Sequence, residues 1–327
     1  MRSLCLIAAL ASVAPAFAQN WYVPDNDPTT GACNVIPFGS TVGSAFYNAK
    51  YQTRFTAADL GAAANLITGL GFASCSSGRA HYDQMEVVLD HIPAAQPTST
   101  TFASNLTPAA VTVLNVANYT WNLTGNAWNE IGLQNFFVYN GIDDVIVQIT
   151  MVNGIAPAGF HRATRERVYW IAASGTPPAT GTSGLAAGKV EVSMLMGRTS
   201  SHGDGCPGSN GTPTVNFTGS PQVGNTISFD LTNGVSSGIG LFIAGTVNSF
   251  PFPIDLASFG APGCYAYTDL AFTNAVLLDP AGAGSVAVPI PAGLQGFRFY
   301  SQYAVLDLPA NQFGFTTSNY LHVHTGN

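Results

Sequence analysis

The stretch "NGIDDVIVQITMVNG", residues 140–154, carries the argument for the fold. Between its two Asn-Gly pairs runs "DVIVQITMV", a mostly β-branched segment of strand length. Asn-Gly turns the backbone sharply because both residues tolerate positive φ, so the run reads as a strand closed by a tight turn at each end. The same pattern recurs on both sides of it. "DQMEVVLD" (83–90), "AAVTVLNV" (109–116), "RVYWIA" (167–172) and "KVEVSMLM" (189–196) are β-branched or alternating runs bounded by turn formers. Further on, "GSVAVPIP" (284–291), "GFRFYSQYAVLD" (296–307) and "SNYLHVH" (318–324) read likewise, and "TISFDLTNG" (226–234) with "GIGLFIAG" (238–245) predicts a hairpin with Asn233-Gly234 near its turn. Helical periodicity is confined to "FTAADLGAAANL" (55–66), where Thr56 as N-cap and Asp59 three residues on predict a helix of two or three turns. Strands at this spacing without intervening helices indicate sandwiches or barrels, not a parallel α/β sheet.

Composition agrees. Of 327 residues only 8% are charged and 46% are hydrophobic, with 35 glycines and 20 prolines. Disorder requires low hydrophobicity and high net charge, and this chain has neither; outward strand faces must instead carry Thr, Ser and Asn. A net charge of −7 supplies no basic footprint for nucleic acid and no attraction to an anionic membrane. The first eighteen residues read as a secretory signal peptide: Arg2, an apolar run over 4–13, and the small-x-small site Ala16-Phe17-Ala18. The mature chain then starts near Gln19, and no later segment is apolar for the ~20 residues a spanning helix needs.

Cys5 leaves with the signal, and Cys33, Cys75, Cys206 and Cys264 remain. An even count in an exported chain favours disulfides, and the split into two separated pairs favours Cys33–Cys75 and Cys206–Cys264, each constraining the unfolded chain by about 4 kcal/mol. Zinc needs close-set ligand pairs, which are missing here. "HGDGCPGSNGTP" (202–213) is therefore read as the threshold of a second domain, bolted to "GAPGC" (260–264). The Gly/Thr/Pro-rich segment 173–188 reads as a long surface loop.

Catalytic motifs are thin. Glu86, Glu130, Glu166 and Glu191 sit in or beside predicted strands and read as solvent-facing positions. Asp25, Asn26 and Asp27 in "PDNDPTTG" offer hard oxygen ligands of the kind calcium takes, but the sixth position from Asp25 is Thr30 and the twelfth is Ile36, so EF-hand spacing fails. His322 and His324 share one strand face without an evident third ligand, so an exposed carboxy-terminal strand is a plainer account of them than a metal site. Arg162, Arg165 and Arg167 form the single basic cluster, fit for a carboxylate or sulfated glycan or, more simply, for a charged strand edge. Tyr119, Trp121 and Trp128 form an aromatic strip that would stack on sugar rings if exposed and would pack the core if not.

Two stretches carry resemblances. In "WNEIGLQNFFVYNGIDDVIVQITMVNG" (128–154), Trp128, Leu133, Phe137, Tyr139 and Gly141 match the pattern of a β-sandwich module common in exported bacterial surface proteins, with Asp144 standing where Asn is usual. The succession "GCPGSNGTPTVNFTGSPQVGNTISFDL", "PIDLASFGAPGCYAY", "VPIPAGLQGFRFYSQYAVLD" and "TTSNYLHVH" resembles a carboxy-terminal β domain of unassigned function appended to many exported bacterial proteins. The resemblances imply secretion, sandwich architecture and a surface or matrix role, and transfer no catalytic residues.

The expectation is an all-β protein of two β-sandwich (jelly-roll or Ig-like) domains, residues 19–198 and 204–327, with one short helix in the first. Its expected role is non-enzymatic, structural or adhesive, outside the cell or at its surface. The alternative is carbohydrate binding through Tyr119, Trp121 and Trp128. The expected partner is an extracellular glycan or a matrix or surface protein, with no nucleic acid, no membrane span and no cofactor other than calcium at Asp25, Asn26 and Asp27.

Overall fold

The computed structural model describes residues 19–40, 46–157 and 159–327. The signal-peptide reading over residues 1–18, Cys5 included, lies outside the described residues. The fold is all-β and sandwich-type, built from antiparallel sheets with no barrel.

One eleven-stranded sheet runs through the molecule, in the spatial order Thr182–Gly184, Arg167–Ala172, Asn48–Phe55, Asp144–Val152, Gly78–Ile92, Val111–Leu123, Arg198–His202, Phe315–His324, Arg298–Leu306, Ile239–Gly245, Phe272–Leu277. An eight-stranded sheet centred on Asn65–Ser74 covers its amino-terminal half, and a three-stranded sheet of Thr214–Gly219, Thr226–Thr232 and Gly284–Pro289 covers its carboxy-terminal half. Each pairing of faces encloses its own core. In the first, Phe38 wedges between the sheets, 4.8 Å from Phe72, 4.7 Å from Phe160 and 5.1 Å from Trp121, ring centre to ring centre. In the second, Phe229 meets Phe242 at 5.0 Å, and the Tyr303 hydroxyl donates to the Phe229 carbonyl at 2.9 Å.

The strand Asp144–Val152 lies as its turns dictate, between Asn48–Phe55 and Gly78–Ile92, with both faces covered and nearly every side chain buried. Asn153 takes positive φ at one turn and Gly141 at the other, where an added Cβ would lie 2.6 Å from the Ala64 nitrogen. Asp144, the departure from the resembled pattern, accepts from Arg54 Nε at 2.5 Å and from the Ala57 amide at 2.8 Å. A carboxylate suits that place because an asparagine would leave the half-buried guanidinium without a counter-charge.

Two expectations are corrected. The helix is a single turn, Ala57–Leu60, although Thr56 and Asp59 do form a reciprocal capping box. Gly61 breaks it at φ 78°, and the chain then enters the strand Asn65–Ser74. Four helical residues bury only Leu60, and tertiary burial of the following apolar run as a strand outweighs the helix propensity of its alanines. The strands Thr226–Thr232 and Ile239–Gly245 do not form a hairpin: the first pairs with Thr214–Gly219 and Gly284–Pro289, the second with Phe272–Leu277 and Arg298–Leu306. They lie in facing sheets because Phe229 and Phe242 both belong to the core between them.

The chain joins its halves with a strand. Arg198–His202 pairs along its whole length with Phe315–His324 and touches Val111–Leu123 at the His202–Trp121 register. The residues between the two expected domains thus complete the sheet that both halves share. In the segment 173–188, Thr182–Gly184 adds an edge strand to Arg167–Ala172.

Candidate functional site

A cleft of about 900 Å³ opens where the halves meet. The amino-terminal half contributes Asn122, Trp128 and Glu130, the joining strand contributes Thr199 to Ser201, and the carboxy-terminal half contributes Asn216 and Asn319. Its size lies toward the upper end of the roughly 300–1,000 Å³ usual for ligand sites. Trp128 is half-buried, leaning on Tyr22 at 5.6 Å, with its indole N–H 3.4 Å from Asn26 Oδ1. Ser201 Oγ accepts from Asn122 at 3.1 Å and from Asn319 at 2.9 Å, tying both halves to the joining strand. At the rim Arg79 and Asp204 form an ion pair across the junction.

Behind the cleft the seam is rich in titratable side chains. Glu130 Oε1 accepts from the Leu70 amide at 3.0 Å and the Gly132 amide at 3.3 Å, while Oε2 is sealed from solvent and accepts nothing. Burial pushes this carboxyl up to about 8, against the pull of Arg198, so it holds its proton at neutral pH. Its neighbour Glu191 instead accepts from Arg198 at 2.6 Å and from Asn20 at 2.8 Å. Reading Glu130 and Glu191 as solvent-facing is therefore wrong. Both point inward from strands beside Gly69 and Gly71, which leave room for the carboxyl groups.

His202, His322 and His324 are all buried here. Burial pushes His202 and His324 down to about 4, and holds His322 well below the usual range with help from the neighbouring His202, His324 and Arg298. His202 Nδ1 lies 3.1 Å from the Thr120 carbonyl, so it carries the hydrogen, and Nε2 faces Ser200 Oγ at 2.7 Å. That spacing matches a nucleophile and its base. An imidazole held near 4 is, however, a poor acceptor for a hydroxyl proton at neutral pH, and both side chains are buried in the sheet. His322 and His324 face the seam, a correction to the picture of a plain exposed strand.

The residues singled out in the sequence fall apart in space. Tyr119 and Trp121 are 2% and 1% exposed, with the Tyr119 hydroxyl donating to the Ile131 carbonyl at 2.7 Å and the Trp121 indole to the Glu130 carbonyl at 2.9 Å. The aromatic strip is thus corrected to one accessible ring, Trp128, with Trp121 buried in the cleft wall, because successive inward positions of Val111–Leu123 supply core rings. Asp25, Asn26 and Asp27 form a turn whose oxygens already surround a cation, the buried ammonium of Lys189. It donates to Asp25 Oδ1 at 2.8 Å, the Asp27 carbonyl at 2.9 Å and Thr30 Oγ1 at 3.1 Å. Hydrogen bonds from Thr29 and Thr30 hold Asp27 down at about 2. The arginine cluster disperses: Arg165 pairs with Asp59, Arg167 is buried with its guanidinium 4.5 Å from the Tyr169 ring, and only Arg162 is exposed.

Both expected disulfides form, Cys33–Cys75 and Cys206–Cys264. The second is buried with Ala261 under Leu256, and Gly203 at φ 71° brings the preceding backbone against the Tyr267 ring, so glycines and bridge together make the threshold compact. His161 lies beside Cys33 and Cys75, but its ring nitrogens are engaged with the Gly31 carbonyl at 2.8 Å and Asn126 Oδ1 at 3.0 Å. Sequence reasoning missed Lys189, Arg79, Asp204 and the seam histidine His202. The one available signal for Lys189 was a lone lysine opening a strand whose residues are otherwise mostly apolar. No helix among the described residues is long and apolar enough to cross a membrane. No protein-family model matches the chain, and no curated protein matches it.

Proposed function

We infer that the chain works outside the cell as a non-catalytic, adhesive structural module. The observation that supports this most is the build of the cleft: both halves and the strand that joins them line one preformed polar surface, and the joining strand belongs to the sheet that spans both cores. Such a surface meets a partner without a folding cost. Two disulfides suit an oxidising compartment, and low charge on a Thr-, Ser- and Asn-rich exterior suits a durable passive protein.

The test is fractionation of producing cells that carry an epitope-tagged full-length chain. The expected result is processed protein sedimenting with the cell surface or extracellular matrix and released by neither high salt nor reductant alone. Recovery of all the protein in the cytoplasm, or freely soluble in the medium, overturns the reading.

A further inference from the structure

We propose that the seam cleft is a binding site for a neutral oligosaccharide, with Trp128 as the platform for one sugar ring and the amide and hydroxyl side chains around it as readers of the sugar hydroxyls. This rests on the adhesive reading above and names the partner's chemistry.

Charge points to a neutral ligand. The charged residues lining the cleft are Arg79, Asp204 and Glu130. Arg79 and Asp204 neutralise each other, and burial keeps Glu130 protonated at neutral pH. No cation is left over for a phosphate, sulfate or uronate, and no anion for a basic peptide.

The polar groups point to a polyol. The lining is rich in hydroxyl and amide side chains, among them Thr199, Ser201, Thr212, Asn122 and Asn319. Hydroxyls and carboxamides each both donate and accept, as sugar hydroxyls do. Asn216 is exposed at the cleft and its side chain makes no hydrogen bond among the described residues, so its amide is available to read a ligand. Trp128 supplies the apolar face that the axial C–H groups of a pyranose need, and Tyr22 and Asn26 hold its ring in place.

The backbone argues against a peptide. Strands Ala127–Glu130 and Thr214–Gly219 are sheet edges flanking the cleft, where an extended chain would add. A side chain already holds one position of each, Val215 and Glu130. Asn319 accepts from the Val215 amide at 2.8 Å and donates to its carbonyl at 3.1 Å, and Trp121 donates to the Glu130 carbonyl.

The experiment is titration of the full mature chain with defined oligosaccharides of glucose, mannose, galactose and N-acetylglucosamine, read by calorimetry and by tryptophan fluorescence. Parallel arms use sulfated and uronic oligosaccharides and an extended neutral peptide. We expect at least one neutral series to bind in the micromolar to millimolar range and to shift Trp fluorescence. Trp128→Ala should weaken it at least tenfold, Trp128→Phe should lose less, and Asn216→Ala should lose several-fold with an unchanged melting temperature. The site assignment is overturned by no binding of any neutral series at millimolar concentration, by Trp128→Ala binding as wild type does, or by preference for the charged sugars or the peptide. In each of those cases matrix sedimentation still decides the adhesive reading separately.

Discussion

Acidification sets the seam histidines against Glu130. Burial holds His202 and His324 at about 4 in the folded protein, while an unfolded chain binds the same protons near 6.5. A depressed histidine pKa means that the unfolded state binds more protons between those limits, so stability falls as pH falls through them. Going from about pH 7 to about pH 5 removes roughly 2 kcal/mol for each, roughly 4 kcal/mol for the pair. His322, pushed further down by burial and by its histidine neighbours, adds to the loss. Glu130 works in the opposite direction. Its carboxyl stands at about 8 folded against 4.5 unfolded, so the folded state holds the extra proton and stability rises on acidification. Over the same interval that returns roughly 2–3 kcal/mol. Wild type should therefore lose only roughly 1–2 kcal/mol beyond the His322 contribution, whereas Glu130→Gln, neutral at every pH, should lose roughly 4 kcal/mol beyond it. Urea midpoints followed by fluorescence at both pH values, with a common slope, measure the difference. Equal losses in the two proteins would refute the claim that Glu130 is protonated in the folded chain.

Three further outcomes follow from named contacts. Gly132→Ala places a Cβ 2.8 Å from His322 Nδ1 and 2.9 Å from His202 Nε2 at φ 74°, and should cost about 2–5 kcal/mol in chemical denaturation; a loss under about 0.5 kcal/mol would contradict this packing. Lys189→Met removes the cation that the Asp25–Asp27 turn surrounds, so millimolar calcium should raise the melting temperature of the variant and leave wild type unmoved. An equal calcium effect on both proteins would show that the ammonium does not fill the site. Mild reductant should open Cys33–Cys75, where Cys33 is exposed, before Cys206–Cys264, whose cysteines are each 1% exposed; alkylation and mass mapping give the order, and the reverse order would sink the assignment of burial.

Local chemistry was legible from residues alone where the physics is local. The Asn-Gly turns around Asp144–Val152, the cap of Thr56 on Asp59, the strand-length β-branched runs and the parity of the cysteines each depend on a few neighbours, and the fold class and bridges came out accordingly. The length of the helix and the pairing of Thr226–Thr232 did not, since the helix yields to burial of Asn65–Ser74 and strand partners are chosen by which core Phe229 and Phe242 share. The cleft was beyond the sequence for the same reason. Trp128 and Trp121 differ little in sequence context, yet the first keeps part of its ring accessible in the cleft and the second is buried in the core behind it. Alternation specifies which residues share a face of a strand, but only the partner sheet decides whether that face is covered. The sequence by itself thus determined the strands, turns and bridges. The tertiary structure decided that Arg198–His202 would join two cores in one sheet, bringing Glu130, Asn216 and Asn319 from far apart in the chain to one surface.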